Sequence, residues 1–447
     1  MRVVMLLVFV CLQSLAMQAQ QRPAHVIMVS VDGFRPDFYQ DTMWPAPNIQ
    51  LLARQGVMAK GVDGIFPSVT YPSHTTLITG AYPAEHGIYY NTPFQPEGAT
   101  GIWNSETELI KTETLWAAMK KAGRISASVS WPVSVGAPVD YNIPEAFTIK
   151  NPLDRREPTS LHATPKGLFE EVQRKATGEM EAIDLNINYS KMDENLGRVA
   201  AYLFRTYKPA LLTLHLPGVD HAEHAEGRQG QLVKAAIANA DRVIGSLMET
   251  VRLSGMQDST VIIITGDHGF VDVRKSFSPN ILLVQAGLMD AKDGPGRQWK
   301  AQFHSGGGSV FLQLKDGTDK TTLNKVRMLM EQQPDSIRKM YRIVEKQELI
   351  KIGADPRAAL ALAAVQGVSI NARSTGTLVA KGKGGAHGYY PDFREIQTGF
   401  VAFGAGIKNG VVVKEMKLVD IAPLIAKLLG VPFREARTEL YKEVVSF

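Results

Sequence analysis

Cysteine is almost missing from this sequence. One is present, Cys11, inside an N-terminal stretch that reads as a removable leader. The mature chain is therefore expected to have no disulfide, no thiolate nucleophile and no sulfur metal ligand, so any metal site must be built from His, Asp and Glu. Beyond the N-terminus there is no run of about 18 apolar residues, which predicts a soluble mature protein without a stable membrane span. No internal repeat, collagen-like period or coiled-coil heptad is found. There is also no basic cluster to form a track for duplex nucleic acid, although a net charge of +5 tolerates small anionic substrates. Hydrophobic residues make up 45% and charged residues 21% of the 447, the balance of a globular chain with a sizeable core. That length exceeds the usual single-domain range and favours one large domain with an insertion, or two domains. Nothing in the pattern encodes an oligomeric state.

What the sequence does have begins at its N-terminus. Arg2 precedes an apolar run from Val3 to Val10, small residues stand at Ala16 and Ala19, and Gln20-Gln21-Arg22 follow. A positive end, an apolar centre and small residues at a cleavage site predict a signal peptide over residues 1–19 and an exported protein, periplasmic or secreted. Gln13 and Ser14 interrupt the run too early for a membrane anchor. The bulky Val10 before Cys11 argues against lipidation.

Apolar, β-rich runs then alternate with helical patterns. His25–Val31, Ile125–Trp131, Ala210–His215 and Thr260–Thr265 read as strands. Pro47–Arg54, Thr112–Lys121, Met192–Arg205 and Gln229–Leu253 read as helices, with a further helix beginning at Thr76 after a turn at Thr70. Strands apolar on both faces and separated by helices predict an α/β fold with a mostly parallel central sheet flanked by helices. Residues 280–375, with a Gly306-Gly307-Gly308 turn and strands at Ser309–Leu314 and Val368–Ala372, read as an inserted smaller α+β subdomain. The core would then comprise residues 20–279 and 376–447, Thr377–Ala380 and Gly399–Phe403 returning to the main sheet and Leu418–Leu429 forming a closing helix. Phe303, Phe311 and Tyr341 make the insertion a candidate wall of a leaving-group pocket.

The chemistry gathers where strands end. Asp32 closes the first strand, Asp267-His268-Gly269 follows another, and Asp220 and His224 lie just past a third. His387 stands in Gly385-Ala386-His387-Gly388, between residues that allow close backbone approach. Singly each has an ordinary reading: a strand-end Asp caps turns and helices, and an isolated His belongs to a core. Together they supply three carboxylates and three imidazoles from four loops, at the sheet edge where α/β active sites form. Mixed oxygen and nitrogen donors suit zinc, and two such positions side by side form a clamp for in-line displacement at phosphorus. Thr70 sits at a loop-to-helix turn, where helix N–H groups favour an anionic phosphate. Locally it reads equally well as a helix cap or as a nucleophile whose alkoxide a cation stabilises.

The segments V-D-G-F, T-Y-P-S-H-T-T-L-I-T-G-A-Y-P-A-E-H-G-I, D-x-x-x-H, D-H-G and A-H-G-Y occur in this order along nearly the whole mature chain. In this it resembles the nucleotide pyrophosphatase/phosphodiesterase branch of the alkaline phosphatase superfamily. The resemblance implies two zinc ions per chain, one held by Asp220, His224 and His387, the other by Asp32, Asp267, His268 and the Thr70 oxygen. It implies Thr70 as the nucleophile, Asn91 as a hydrogen-bond donor to a non-bridging phosphate oxygen, and a phosphodiester or nucleotide substrate. Tyr71 stands where the family often has Phe and reads equally as an aromatic wall for the substrate or as a core residue; Ser73 stands where Asn is usual. Trp131-Pro132 matches the diesterases, whereas threonine-dependent monoesterases carry a Lys-x-Arg pair there, so Trp131 is expected beside the substrate. Lys150, Arg155 and Arg156 are nearby cations able to curl back. A threonine-dependent phosphomonoesterase and a non-catalytic binding protein on the same scaffold are the alternatives. A sulfatase would need Cys or Ser at position 70 and arginine at position 74, where Thr70 and His74 stand.

Overall fold

The computed structural model describes residues 22–447, so the stretch read as a signal peptide lies outside the described residues. The main sheet has eight strands: β1 (His25–Val31), β2 (Val57–Ala59), β3 (Ser126–Val129), β4 (Tyr141–Ile143), β5 (Leu211–Leu216), β6 (Thr260–Thr265), β7 (Phe400–Gly404) and β8 (Val411–Val413). Their spatial order is β8-β2-β7-β6-β1-β5-β3-β4. β1 runs parallel to β5 and to β6, with Val29 opposite Leu214 on one side and Ile264 on the other. β3 runs parallel to both β5 and β4. β7 breaks the pattern, pairing antiparallel with β6 and β2.

The continuous apolar strands follow from cover on both faces. Alternate residues of β1 enter different cores. Ile27, Val29 and Val31 pack with residues of helices α2 (Lys191–Tyr207) and α4 (Gln231–Leu253). Val26 and Met28 pack with Leu77 and Ile78 of α1 (Thr70–Thr79) and with α5 (Ile421–Leu429). Each such side chain, fully buried, contributes about 1.5–3 kcal/mol, so a sheet with two cores makes a stiff base for the loops at its edge. Asp32 follows β1, Asp267 follows β6, and the short helix α3 (Gly218–Glu226), bearing Asp220 and His224, follows β5. The carboxyl ends of three adjacent parallel strands therefore carry five of the candidate ligands.

Two sequence expectations change at this level. The helix expected to begin at Thr76 starts at Thr70 itself. Pro72 is tolerated within a first helical turn. The hydroxyls of Thr75, Thr76 and Thr79 satisfy themselves on the carbonyls of Tyr71, Ala81 and Thr75, so a run of threonines stays helical while buried. The segment expected at Thr377–Ala380 forms a strand, Val379–Lys381, that pairs with Lys275–Phe277 in a separate three-stranded sheet rather than joining the main one. Its half-exposed Val379 and Ala380 and exposed Lys381 do not suit a sheet covered on both faces.

Residues 301–364 build a four-stranded antiparallel sheet, in the order Ala301–Ser305, Ser309–Leu314, Leu360–Ala364, Tyr341–Glu345. The helix Lys320–Glu331 covers it through Val326 and Met330, in a core shared with Phe303, Leu312 and Tyr341. Phe303, Phe311 and Tyr341 are all buried, and Phe311 packs on Phe66 with ring centres 4.9 Å apart. These aromatics are core, not the open pocket walls the sequence suggested.

Candidate active site

The six donors read from four segments meet at one edge of the main sheet. Asp267 Oδ2 lies 3.0 Å from His268 Nε2, and Asp32 Oδ1 lies 3.4 Å from the same nitrogen. Beside them, Asp220 Oδ1 is 3.4 Å from both His224 Nε2 and His387 Nε2, and those two nitrogens are 3.2 Å apart. The rings of His268 and His387 stack at 3.7 Å and 6°, which joins the two clusters. Asp220, His268 and His387 also form a close donor group of their own.

The other face of each imidazole explains its orientation. His387 Nδ1 faces the Ser68 carbonyl at 3.0 Å and His224 Nδ1 faces the Gly385 carbonyl at 3.1 Å. A carbonyl only accepts, so each Nδ1 carries the proton and each Nε2 presents a bare lone pair to its partner. Two bare nitrogens and a carboxylate oxygen converging at these distances repel one another unless a cation lies between them. Asp32 Oδ1, Asp220 Oδ1, Asp267 Oδ2 and His268 Nε2 are all buried with no hydrogen-bond partner. Buried polar atoms are rarely left so, and their coincidence in one place, with oxygen and nitrogen donors in this mixture, fits a pair of divalent cations.

The charges of the donors themselves are frustrated accordingly. Burial, reinforced by Asp267 and Asp220, pushes the Asp32 carboxyl well above the usual range. Asp267 goes the other way: burial opposes ionisation, but His268 and His74 hold it below its ordinary value. Burial works against His268, yet Asp267 and Asp32 raise it to about 9, while burial with His268 and His224 nearby drives His387 well below its usual value.

Thr70 is the first residue of α1. The residue before it, Val69, is extended, and no side chain caps this helix, so the Thr70 hydroxyl is not used as a cap. His74 Nδ1 is 2.9 Å from the Thr70 carbonyl and 3.6 Å from Asp267 Oδ2. Its Nε2 meets Ser30 Oγ at 2.9 Å, and burial lowers its pKa to about 3, so it is neutral. On the other side Ser68, two residues before Thr70, receives His387. Asn91 Oδ1 accepts the Tyr71 N–H at 2.9 Å, leaving its amide NH2 as the free, donating end.

Over residues 26–390 the chain matches the family model described as type I phosphodiesterase / nucleotide pyrophosphatase. The chain belongs to that family. Mouse ectonucleotide pyrophosphatase/phosphodiesterase family member 7 is 25% identical over 426 residues, covering 92% of this chain and 84% of its own. Mouse family member 3 is 23% identical and covers 91% of this chain but 42% of its own length, so this chain spans less than half of that relative. Human ectonucleotide pyrophosphatase/phosphodiesterase 5 superposes with a TM-score of 0.69 at 20% identity, over 94% of this chain and 100% of that one. The murine counterpart, an inactive threonine-to-alanine variant in complex with AMP, gives 0.69 at 19% identity, over 94% of this chain and 99% of that one. The fold is thus the alkaline-phosphatase-like α/β fold of the nucleotide pyrophosphatase/phosphodiesterases.

Two residues read as candidate substrate contacts in this phosphodiesterase do not line open space. Trp131 is 0% exposed; it stacks edge-on against His74 with centres 5.0 Å apart, and its Nε1 donates to the His74 carbonyl at 3.4 Å. Tyr71 is 1% exposed and packs with Ile88 and Val133. Tyr71 turns inward from the first turn of α1, and Trp131 packs against the same helix at His74. Beside Tyr71 an aromatic does reach solvent: Trp103, 37% accessible, whose ring lies 5.1 Å away. With Ile102, Phe147, Ile149 and Leu161 it lines a cleft of about 300 Å³. A lone tryptophan after Gly101-Ile102, in a polar loop, was the available signal. Arg155 is drawn to Glu145 at 3.3 Å and Arg156 to Asp154 at 2.8 Å.

His215 was also missed. It is the one ring in the apolar strand Leu211–Leu216, and a lone imidazole in such a run was its mark. Its Nε2 lies 3.1 Å from Asp32 Oδ2 and its Nδ1 lies 2.9 Å from the Ser130 carbonyl and 3.5 Å from Glu145. Burial disfavours its charge, but hydrogen bonds to Asp32 and Glu145 raise it to about 10.

Proposed function

We propose that this protein is an exported two-zinc phosphodiesterase or nucleotide pyrophosphatase that cleaves phosphodiester or phosphoanhydride bonds through a phosphothreonine intermediate. The observation that carries the reading is the pair of donor clusters, with bare imidazole nitrogens and partnerless carboxylate oxygens, linked to the segment around Thr70 through His387 on the Ser68 carbonyl and through Asp267 and His74 on the Thr70 carbonyl. One zinc would be held by Asp220, His224 and His387, the other by Asp32, Asp267, His268 and the Thr70 oxygen. When bound, such cations favour the alkoxide of a coordinated hydroxyl and neutralise charge on a departing oxygen.

The remaining steps belong to the chain. The Thr70 hydroxyl gives up its proton to solvent and its oxygen attacks phosphorus in line; the bond to the leaving oxygen breaks and that oxygen departs with the bonding pair, taking a proton from solvent after release. The α1 N-terminus and the Asn91 amide, held by Tyr71 N–H, stabilise charge on the non-bridging oxygens. Water then attacks the phosphothreonine from the opposite side and restores the Thr70 hydroxyl. No side chain needs to act as general acid.

A diester is favoured over a monoester: Trp131-Pro132 stand where the monoesterases carry cations, and of Lys150, Arg155 and Arg156 the two arginines are engaged by Glu145 and Asp154, leaving the exposed Lys150. The cleft at Trp103 offers room for a second substituent, and the AMP bound by the murine relative supports a nucleotide as one candidate. Export rests on residues 1–19. Purified protein should hydrolyse bis-p-nitrophenyl phosphate faster than p-nitrophenyl phosphate. Thr70→Ala should abolish turnover while retaining two zinc equivalents; near-native rates in that variant would end the proposal.

A further inference from the structure

The six donors ride on four loops, and the ligands alone do not fix how far apart the two clusters lie. Beneath them is an ionic cluster that the catalytic scheme does not use. Arg35, three residues after Asp32, is wholly buried. Its Nε donates to Glu223 Oε1 at 2.5 Å, its Nη1 pairs with Asp37, and its Nη2 donates to the Arg228 carbonyl at 2.8 Å. Glu223 lies on α3 beside His224 and one turn past Asp220.

Arg228, just beyond that helix, extends the cluster. It pairs with Asp37 Oδ2 at 3.0 Å and donates at 2.7 Å to the Phe270 carbonyl, in the loop that carries Asp267 and His268. Its own N–H donates at 2.7 Å to Asp272, the residue paired with Gly385 in the short ladder leading to His387. The cluster thus reaches all four donor-bearing loops. The approach is close: a Cβ on Gly33, where φ is +73°, would fall 2.7 Å from Glu223 Oε2.

Resting on the two-zinc reading of the site, we propose that Arg35 and Glu223, with Asp37 and Arg228, form a positioning clamp. It sets the spacing of the two cation positions by tying the Asp32 loop to the helix of Asp220 and His224. A buried ion pair is a poor source of net stability, since an apolar replacement often does as well. A planar guanidinium does supply donors in fixed directions, and here one binds Asp37 on the Arg35 loop itself while two bind Glu223 and the Arg228 carbonyl, in and just past α3. A small rotation of α3 would carry Asp220 and His224 together away from Asp32.

The test is zinc titration of metal-stripped, full-length protein against a chromophoric chelator, comparing wild type with Glu223→Gln. That change keeps the side-chain volume and an acceptor for Arg35 while replacing the second carboxyl oxygen by an amide NH2. The binding step abolished by His224→Ala should weaken about tenfold in Glu223→Gln, the scale expected for a group that orients ligands without touching metal. The visible spectrum of the cobalt-substituted variant should shift as well. Wild-type zinc affinities and an unchanged cobalt spectrum, alongside a lower melting midpoint of the metal-free variant, would make the pair merely structural and overturn the proposal. Should Glu223→Gln not fold, Asp37→Asn loosens the same clamp from a side chain that is 30% exposed. It must weaken the same step, and unchanged affinity there overturns the proposal equally. A wild type that takes up no zinc would instead sink the two-zinc reading beneath it.

Discussion

Replacing Asp32 by asparagine should have opposite consequences with and without metal. In the metal-free protein Asp32 is buried, faces Asp267 and Asp220, and has its carboxyl pushed well above the ordinary range. Asparagine removes that repulsion and keeps an oxygen for His215, 3.1 Å away. Asp32→Asn should therefore be as stable as wild type, or more so, after treatment with a chelator. With zinc at 1,000 times its dissociation constant, each filled position adds about 4 kcal/mol to stability by mass action. Wild type should gain about 8 kcal/mol from two positions and the variant about half of that, because the amide is a poor ligand. Guanidinium unfolding in chelator and in zinc gives the four midpoints needed. The reasoning is refuted if Asp32→Asn is the less stable protein in chelator, or if zinc stabilises both proteins equally.

Two other substitutions probe separate parts of the account. Trp103→Ala should raise KM for an aromatic diester about tenfold, the scale of losing one stacked ring, and leave hydrolysis of p-nitrophenyl phosphate unchanged; equal effects on both substrates would contradict the cleft as a substituent site. Asp193, buried near the start of α3, has its pKa raised to about 7, mainly by burial. The folded state thus holds a proton that the unfolded chain releases near pH 4. Between pH 4 and 7 stability should fall as pH rises, by up to about 1.4 kcal/mol per unit, the penalty being complete above pH 7. Asp193→Asn should flatten that slope in denaturant titrations across the range.

The parts of this molecule that were legible from sequence are those with a local mark. Strands apolar on both faces announce a covered sheet, and Thr260–Thr265 runs from Thr260 to Thr265 in the structure as well. Donor residues at strand ends announce a site edge, because the sheet's twist and parallel order bring those ends together whatever lies between. Direction is harder to read. Nothing in Thr70-Tyr71 or Trp131-Pro132 says that the aromatics turn inward under α1, since an aromatic suits a core and a pocket equally. Long-range pairing leaves no local mark at all: Arg35 and Glu223 are 188 residues apart, and each alone reads as a surface charge. His215 was visible only as an oddity inside an apolar strand.

The most direct measurement of the central claim is anomalous diffraction at the zinc edge from crystals of the zinc-loaded protein. The account predicts two peaks, one among Asp220, His224 and His387 and one among Asp32, Asp267 and His268, the second within bonding reach of the Thr70 oxygen. A single peak, or zinc held by other side chains while those six remain without metal, would contradict it.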